Sequence, residues 1–207
     1  MESSKFIIPI ETIRELKTMA ETGKVEYSGG FRGDGNILRI CDVNPGTILT
    51  APPSHNPLSF HTHGYTSYVN NASIAPPSTN DIIYLLERPY KYFEIVGTLE
   101  GLYTVIIPPE FQELNRVLFT QPDQKSVEII KIVNESLETL QNELIHSLSL
   151  PMTKISKIMD MYVVNSYIGH NITRKVGIDK CIFIFEVKFI PWNKITNDIT
   201  LVINRLV

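Results

Sequence analysis

The chain has 207 residues and a mass of 23.5 kDa, which bounds it to one domain, with or without a sizeable insertion. Its 43% hydrophobic and 20% charged residues supply an ordinary core and exclude disorder on compositional grounds. A net charge of −3 and a pI near 6.0 offer no basic field for phosphates, and no apolar run reaches the ~18 residues of a membrane span, so neither nucleic acid nor membrane is an expected partner.

The opening segment MESSKFIIPIETIRELK lacks the charged start, long apolar stretch and small-residue cleavage site of a signal peptide. Two cysteines, Cys41 and Cys181, are too few for a disulfide scaffold. Both features lead us to expect a cytoplasmic or nuclear protein. Isoleucine (28 residues) and asparagine (14) are abundant, as AT-rich coding would produce, for instance in a large DNA virus; a virion or an infected cell is then a further expected location.

In chain order, residues 10 to 22 carry apolar side chains at 13, 16, 19 and 20, a helical stripe with Gly23 as a stop. KVEYSGGFRG and NILRICDV predict two strands joined by a turn at Gly33-Asp34-Gly35. Residues 44 to 57, with four prolines, predict a loop, and LSFHTHG a strand. STNDIIYLLERP predicts a short helix that stops near Pro89, and YFEIVGT and GLYTVII form a hairpin around Leu99-Glu100.

EFQELNRVLF predicts a helical turn or two. Ser126 is a candidate cap for a helix reaching about His146, and a second helix is expected from about Pro151 to Tyr167. DKCIFIFEVKFIPW is the strongest strand candidate, and residues 194 to 206 are expected to form a terminal helix. This order is α/β or α+β without regular βαβ alternation, and GGFRGDG lacks the Lys-Ser/Thr pair of a phosphate loop. We therefore expect a single α/β (α+β) domain, with a helical insertion or extension at about 108–178 and a final strand and helix over 179–207.

The chemistry concentrates in SFHTHGYTSYVNNASIAPPSTNDI, residues 59 to 82. Side chains two apart on a strand share a face, so His61 and His63 project together while Thr62 turns away. Two converging imidazoles suit zinc, which at catalytic sites takes three protein ligands and a water. Asp81, in the first turn of the next predicted helix, is the best third ligand. Alone, a His-x-His pair is a weak signal, and Ser78-x-x-Asp81 before an apolar run is more often a capping box. The two roles are compatible if one carboxylate oxygen caps while the other faces the metal.

Taken together, these pieces resemble the JAMM (MPN+) zinc metalloproteases, which carry a Glu near their first strand, then His-Ser/Thr-His-Pro, then Ser-x-x-Asp. Here Glu26 stands in EYSGGFRG, followed by His61-Thr62-His63 and Ser78-Thr79-Asn80-Asp81. FEIVGTLEGLYTVI is similar to the strand–turn–strand hairpin often seen in these domains. The resemblance covers roughly residues 8 to 107 and implies an MPN-like domain with its core over that span, a central mixed sheet flanked by helices. It departs at Gly64, where the family usually has Pro, and at the fourteen residues between His63 and Ser78, about twice the usual gap. The extra residues are expected to form a surface loop at the mouth of the site.

The resemblance implies that His61, His63 and Asp81 hold Zn2+, that Glu26 is the general base and then acid toward an activated water, and that Ser78 donates to the oxyanion. It implies hydrolysis of peptide or isopeptide bonds, in ubiquitin or ubiquitin-like conjugates by family association alone. The rival expectations are a non-catalytic MPN-like scaffold of a larger assembly or virus particle, and a metal hydrolase acting on a small molecule. The helices expected over 126–167 are either packing or a surface for a protein complex. His55, His146 and His170 are expected as loop or helix-end residues, and Cys41 and Cys181 as small core residues.

Overall fold

The computed structural model describes residues 3–22, 25–47, 50–64, 77–86, 88, 93–107 and 186–204, with six further positions between 124 and 139. Its frame is one eight-stranded mixed sheet. The strands are β1 (Ser3–Ile8), β2 (Tyr27–Asp34), β3 (Ile37–Pro45), β4 (Leu58–Thr62), β5 (Phe93–Gly97), β6 (Gly101–Ile106), β7 (Glu186–Pro191) and β8 (Ile199–Asn204). They lie side by side as β7-β6-β5-β4-β2-β3-β1-β8. Two pairs are parallel, β1 with β3 and β4 with β5, and the rest antiparallel. Parallel neighbours need a crossover; helix α1 (Ile10–Thr22) follows β1, and α2 (Thr79–Leu86) lies between β4 and β5 in the chain. The class is α+β.

Helix α1 follows its apolar spacing: Ile13, Leu16 and Ala20 are buried. They pack with Ile8, Phe31, Leu38, Phe60, Phe93, Ile95, Leu102 and Leu201 in one cluster. Strand alternation places Phe31, Phe60, Phe93, Ile95 and Leu102 on the same side of the sheet, and each fully buried phenylalanine contributes about 1.5–3 kcal/mol. Phe31 lies 5.5 Å from Phe60 and 6.0 Å from Phe93, ring centre to ring centre. Gly29 is needed where β2 passes under Phe60, because a Cβ there would lie 2.6 Å from that ring. The β2–β3 hairpin turns on Gly35-Asn36, one residue later than the expected turn, with φ of 59° at Gly35 as a II′ loop requires.

The C-terminal end corrects an expectation. The described part of the expected terminal helix, residues 194 to 204, is not an α-helix: a single 3₁₀ turn at Trp192–Lys194 leads into β8, which pairs antiparallel with β1 along its whole length. The segment ITLVIN is mostly β-branched, which favours extended chain, and β1 offers the pairing edge. The first strand, β1, was not anticipated either, and the two together extend the sheet beyond the expected 8–107 core. Asp198 ties this end to α1, its Oδ1 accepting the Ile10 N–H at 2.9 Å.

Of the expected helix from Ser126, the described positions 124, 127, 128, 131, 135 and 139 are helical. Ser126 itself lies outside the described residues. The loop at 65–76, the expected helix at 151–167, His146, His170 and Cys181 lie outside the described residues. No helix among the described residues is long and apolar enough to cross a membrane.

Candidate metal centre

The side of the sheet opposite α1 carries the buried residues with ionisable or metal-ligating side chains. Ser28 pairs with His61 across β2 and β4, and Ser59 with Glu94 across β4 and β5. By alternation Ser59, His61 and His63 share this face, as do Glu94, Val96 and Thr98 on the neighbouring strand. His63 lies one residue past β4, and its N–H is held by the Gly97 carbonyl at 2.9 Å. Both imidazoles are buried.

Asp81 reaches the same spot from α2. Ser78 is the N-cap: its Oγ accepts the Asp81 N–H at 3.2 Å, and its own N–H donates to Asp81 Oδ2. This is the reciprocal box that the Ser-x-x-Asp spacing predicts. The expected division of labour between the two carboxylate oxygens does not hold, however. The capping oxygen, Oδ2, is also the one facing the imidazoles, because a side chain in the first turn points back over the helix start.

The three groups form a closed triangle. His61 Nε2 and His63 Nε2 are 3.1 Å apart, and Asp81 Oδ2 lies 3.5 Å from the first and 3.4 Å from the second. Tetrahedral zinc with bonds of about 2.0–2.1 Å separates its ligand atoms by about 3.3–3.4 Å. The triangle therefore has the size of one face of such a site, and two imidazoles with a carboxylate are zinc's ordinary ligand types. The residues fit the ion. A second observation points the same way: Ser28 Oγ, on the same face and opposite His61, is buried with no hydrogen-bond partner among the described residues.

Burial pushes the His61 imidazole down, but the carboxylates of Asp81 and Glu94 outweigh it and hold its pKa well above the ordinary value. Burial likewise pushes Asp81 up, and His61 and His63 overcome this, leaving its carboxyl well below the usual range. The cluster thus holds the carboxylate ionised, as a metal ligand must be.

Glu26 is buried and immediately precedes β2; its N–H donates to Thr47 and its carbonyl accepts from Gly46. Glu26 stands two residues before Ser28, the β2 residue that pairs with His61. Ser78 accepts one hydrogen bond through its hydroxyl, whose own proton is left to donate elsewhere. Gly64, where the resemblance would have Pro, is buried beside His63. His55 is exposed, and Cys41 is half-buried rather than in the core. Burial and Asp42 push the Cys41 thiol up, against a smaller opposing effect of Arg32.

One site residue escaped the sequence reading. Glu94 is buried in β5 between Phe93 and Ile95, with Oε1 3.4 Å from His61 Nδ1 and 3.2 Å from Ser59 Oγ. The available signal was a single acid inside an apolar strand, a residue type that is almost never buried without a partner. Comparison with family models, curated proteins and solved structures returns no match for this chain.

Proposed function

We propose that this protein is a JAMM-type zinc metallopeptidase that cleaves peptide or isopeptide bonds, with ubiquitin or ubiquitin-like conjugates as its substrate class. The observation that carries the reading is the triangle of His61 Nε2, His63 Nε2 and Asp81 Oδ2, sized for one tetrahedral ion. The segments that carry the resemblance also lie on adjacent strands, β2, β4, β5 and β6, with Ser78 and Asp81 at the start of α2. The substrate class rests on the resemblance alone.

His61, His63 and Asp81 would hold the ion. Zinc, when bound, supplies a Lewis acid that lowers the pKa of a water toward about 7. Glu26 takes a proton from the attacking water and returns it to the departing amine. The Ser78 hydroxyl donates to the oxyanion that develops on the scissile carbonyl, an interaction worth on the order of 3 kcal/mol in comparable sites. The capping box fixes Ser78 and Asp81 together, so the oxyanion donor and the third ligand move as one unit.

The test is zinc content of protein purified without chelator, with His63→Ala alongside, followed by cleavage of ubiquitin-type conjugates. One zinc per chain, lost in His63→Ala, is expected. Glu26→Gln is expected to keep its zinc and lose about 10²- to 10⁴-fold in rate. A Glu26→Gln protein as active as the parent would overturn the assignment of the base. Protein that takes up no zinc after reconstitution would leave the scaffold reading in its place.

A further inference from the structure

We propose that Glu94 is a positioning residue that locks His61 into the tautomer and orientation needed to ligate the metal. The inference rests on the metal-centre reading above and extends it to a residue outside the motif.

An imidazole that ligates through Nε2 must carry its proton on Nδ1, and the group facing Nδ1 decides whether it does. Facing His61 Nδ1 is Glu94 Oε1, at 3.4 Å. An ionised carboxylate only accepts hydrogen bonds, so it selects the Nδ1–H form and leaves the Nε2 lone pair directed at His63 and Asp81. The same oxygen accepts from Ser59 Oγ at 3.2 Å, which fixes it from the neighbouring strand. Parallel pairing of Ser59 with Glu94, and of His61 with Val96 two residues on, sets all three side chains on one face. Backbone register thus builds a Ser59–Glu94–His61 chain that ends at the metal position.

The fold itself gives little reason for an acid here. Val96 and Val105, on the same face as Glu94, are buried, and a buried carboxylate must be compensated by hydrogen bonds or charge. A leucine would fit the apolar strand without that penalty. An acid kept at such a place is explained by what it does to His61.

Zinc affinity, measured by chelator competition on the 207-residue chain, separates the possibilities. Glu94→Leu should bind zinc roughly 10- to 100-fold more weakly than the parent. Its metal-free melting temperature should be no lower. Glu94→Gln keeps the size and one acceptor oxygen without the charge, and should fall between the two. In zinc-loaded parent protein, the His61 Nδ1–H should give a protected imidazole proton resonance that Glu94→Leu lacks.

Zinc binding by Glu94→Leu within about twofold of the parent would overturn the proposal while leaving the metal centre intact, since typical losses of such partners are tenfold or more. Equal losses in Gln and Leu that track a lower metal-free stability would assign Glu94 to the fold instead. If Glu94→Leu does not fold, Glu94→Gln decides alone: full zinc affinity there overturns the proposal. A parent that binds no zinc removes the metal-centre reading, and this inference with it.

Discussion

The two sides of one sheet are built to opposite rules. Toward α1, the strands present mainly Phe31, Phe60, Phe93, Ile95 and Leu102, with the small hydroxyls of Thr62 and Thr104 among them. On the other side the same strands present Ser28, Ser59, His61 and Glu94, equally buried. The alternation of a strand makes this possible within five residues: Ser59 and His61 point one way, and Phe60 between them points the other. One side supplies burial that holds the strands in register. The other spends part of that stability on polar groups brought within 3.1–3.5 Å of one another.

If that division holds, substitutions on the two sides should have separable effects. The largest is expected at Phe60, which is fully buried between Phe31 and Gly29. Phe60→Ala should destabilise the protein by about 3–5 kcal/mol, measured by urea unfolding. The fraction that remains folded should bind zinc with the affinity of the parent. Loss of zinc affinity in that folded fraction would show that the two sides are not independent.

Zinc itself gives the next effect. At about 100 times its Kd, zinc should stabilise the parent by about 2.7 kcal/mol, read as a rise in melting temperature that chelator reverses. Phe60→Ala should keep this increment, and His63→Ala should lose it. An increment that survives in His63→Ala would place the zinc elsewhere.

Without metal, pH should act on the polar side alone. The His61 pKa is raised above its ordinary 6.5, so its contribution is complete below about pH 6.5 and is lost as pH rises through the raised value. The Asp81 pKa is lowered below 3.8, so its contribution is complete above that and is lost only in stronger acid. Metal-free protein should therefore melt at progressively lower temperature as pH rises above about 6.5, and His61→Asn should flatten that slope. Saturating zinc should oppose the trend, because ligation needs neutral imidazoles. A metal-free parent with a flat profile over this range would contradict the pairing of His61 with Asp81 and Glu94.

Much of this side was legible because motif and geometry coincide at close sequence range. His-x-His reads directly as two side chains on one strand face, and Ser-x-x-Asp as a capped helix start. The boundaries of α1 and the β5–β6 hairpin were equally plain, since periodicity and turn residues are local signals. What could not be read depends on pairing between distant segments. Glu94 matters only because β5 lies parallel to β4 with Glu94 beside Ser59, a register that neither strand encodes alone. The β1–β8 pair joins the two ends of the described chain, and ITLVINRLV taken by itself fits a helix as well as a strand.

The smallest expected effect compares two aspartates with the same local task. Asp81 and Asp198 each offer a carboxylate oxygen to an N–H at a helix start, Asp81 to Ser78 at α2 and Asp198 to Ile10 at α1. Negative charge at that end is favourable in both cases. Asp198 is exposed and joins the C-terminal segment to α1, so Asp198→Ala should cost about 0.5–1 kcal/mol and leave zinc affinity unchanged. Asp81→Asn keeps the shape of the cap but removes the charge that faces two imidazoles, so it should change zinc affinity far more than it changes the metal-free melting temperature. Comparable losses of zinc in the two variants would mean that helix capping alone holds the site together. A loss confined to Asp81→Asn would show that the carboxylate in the triangle is there for a cation.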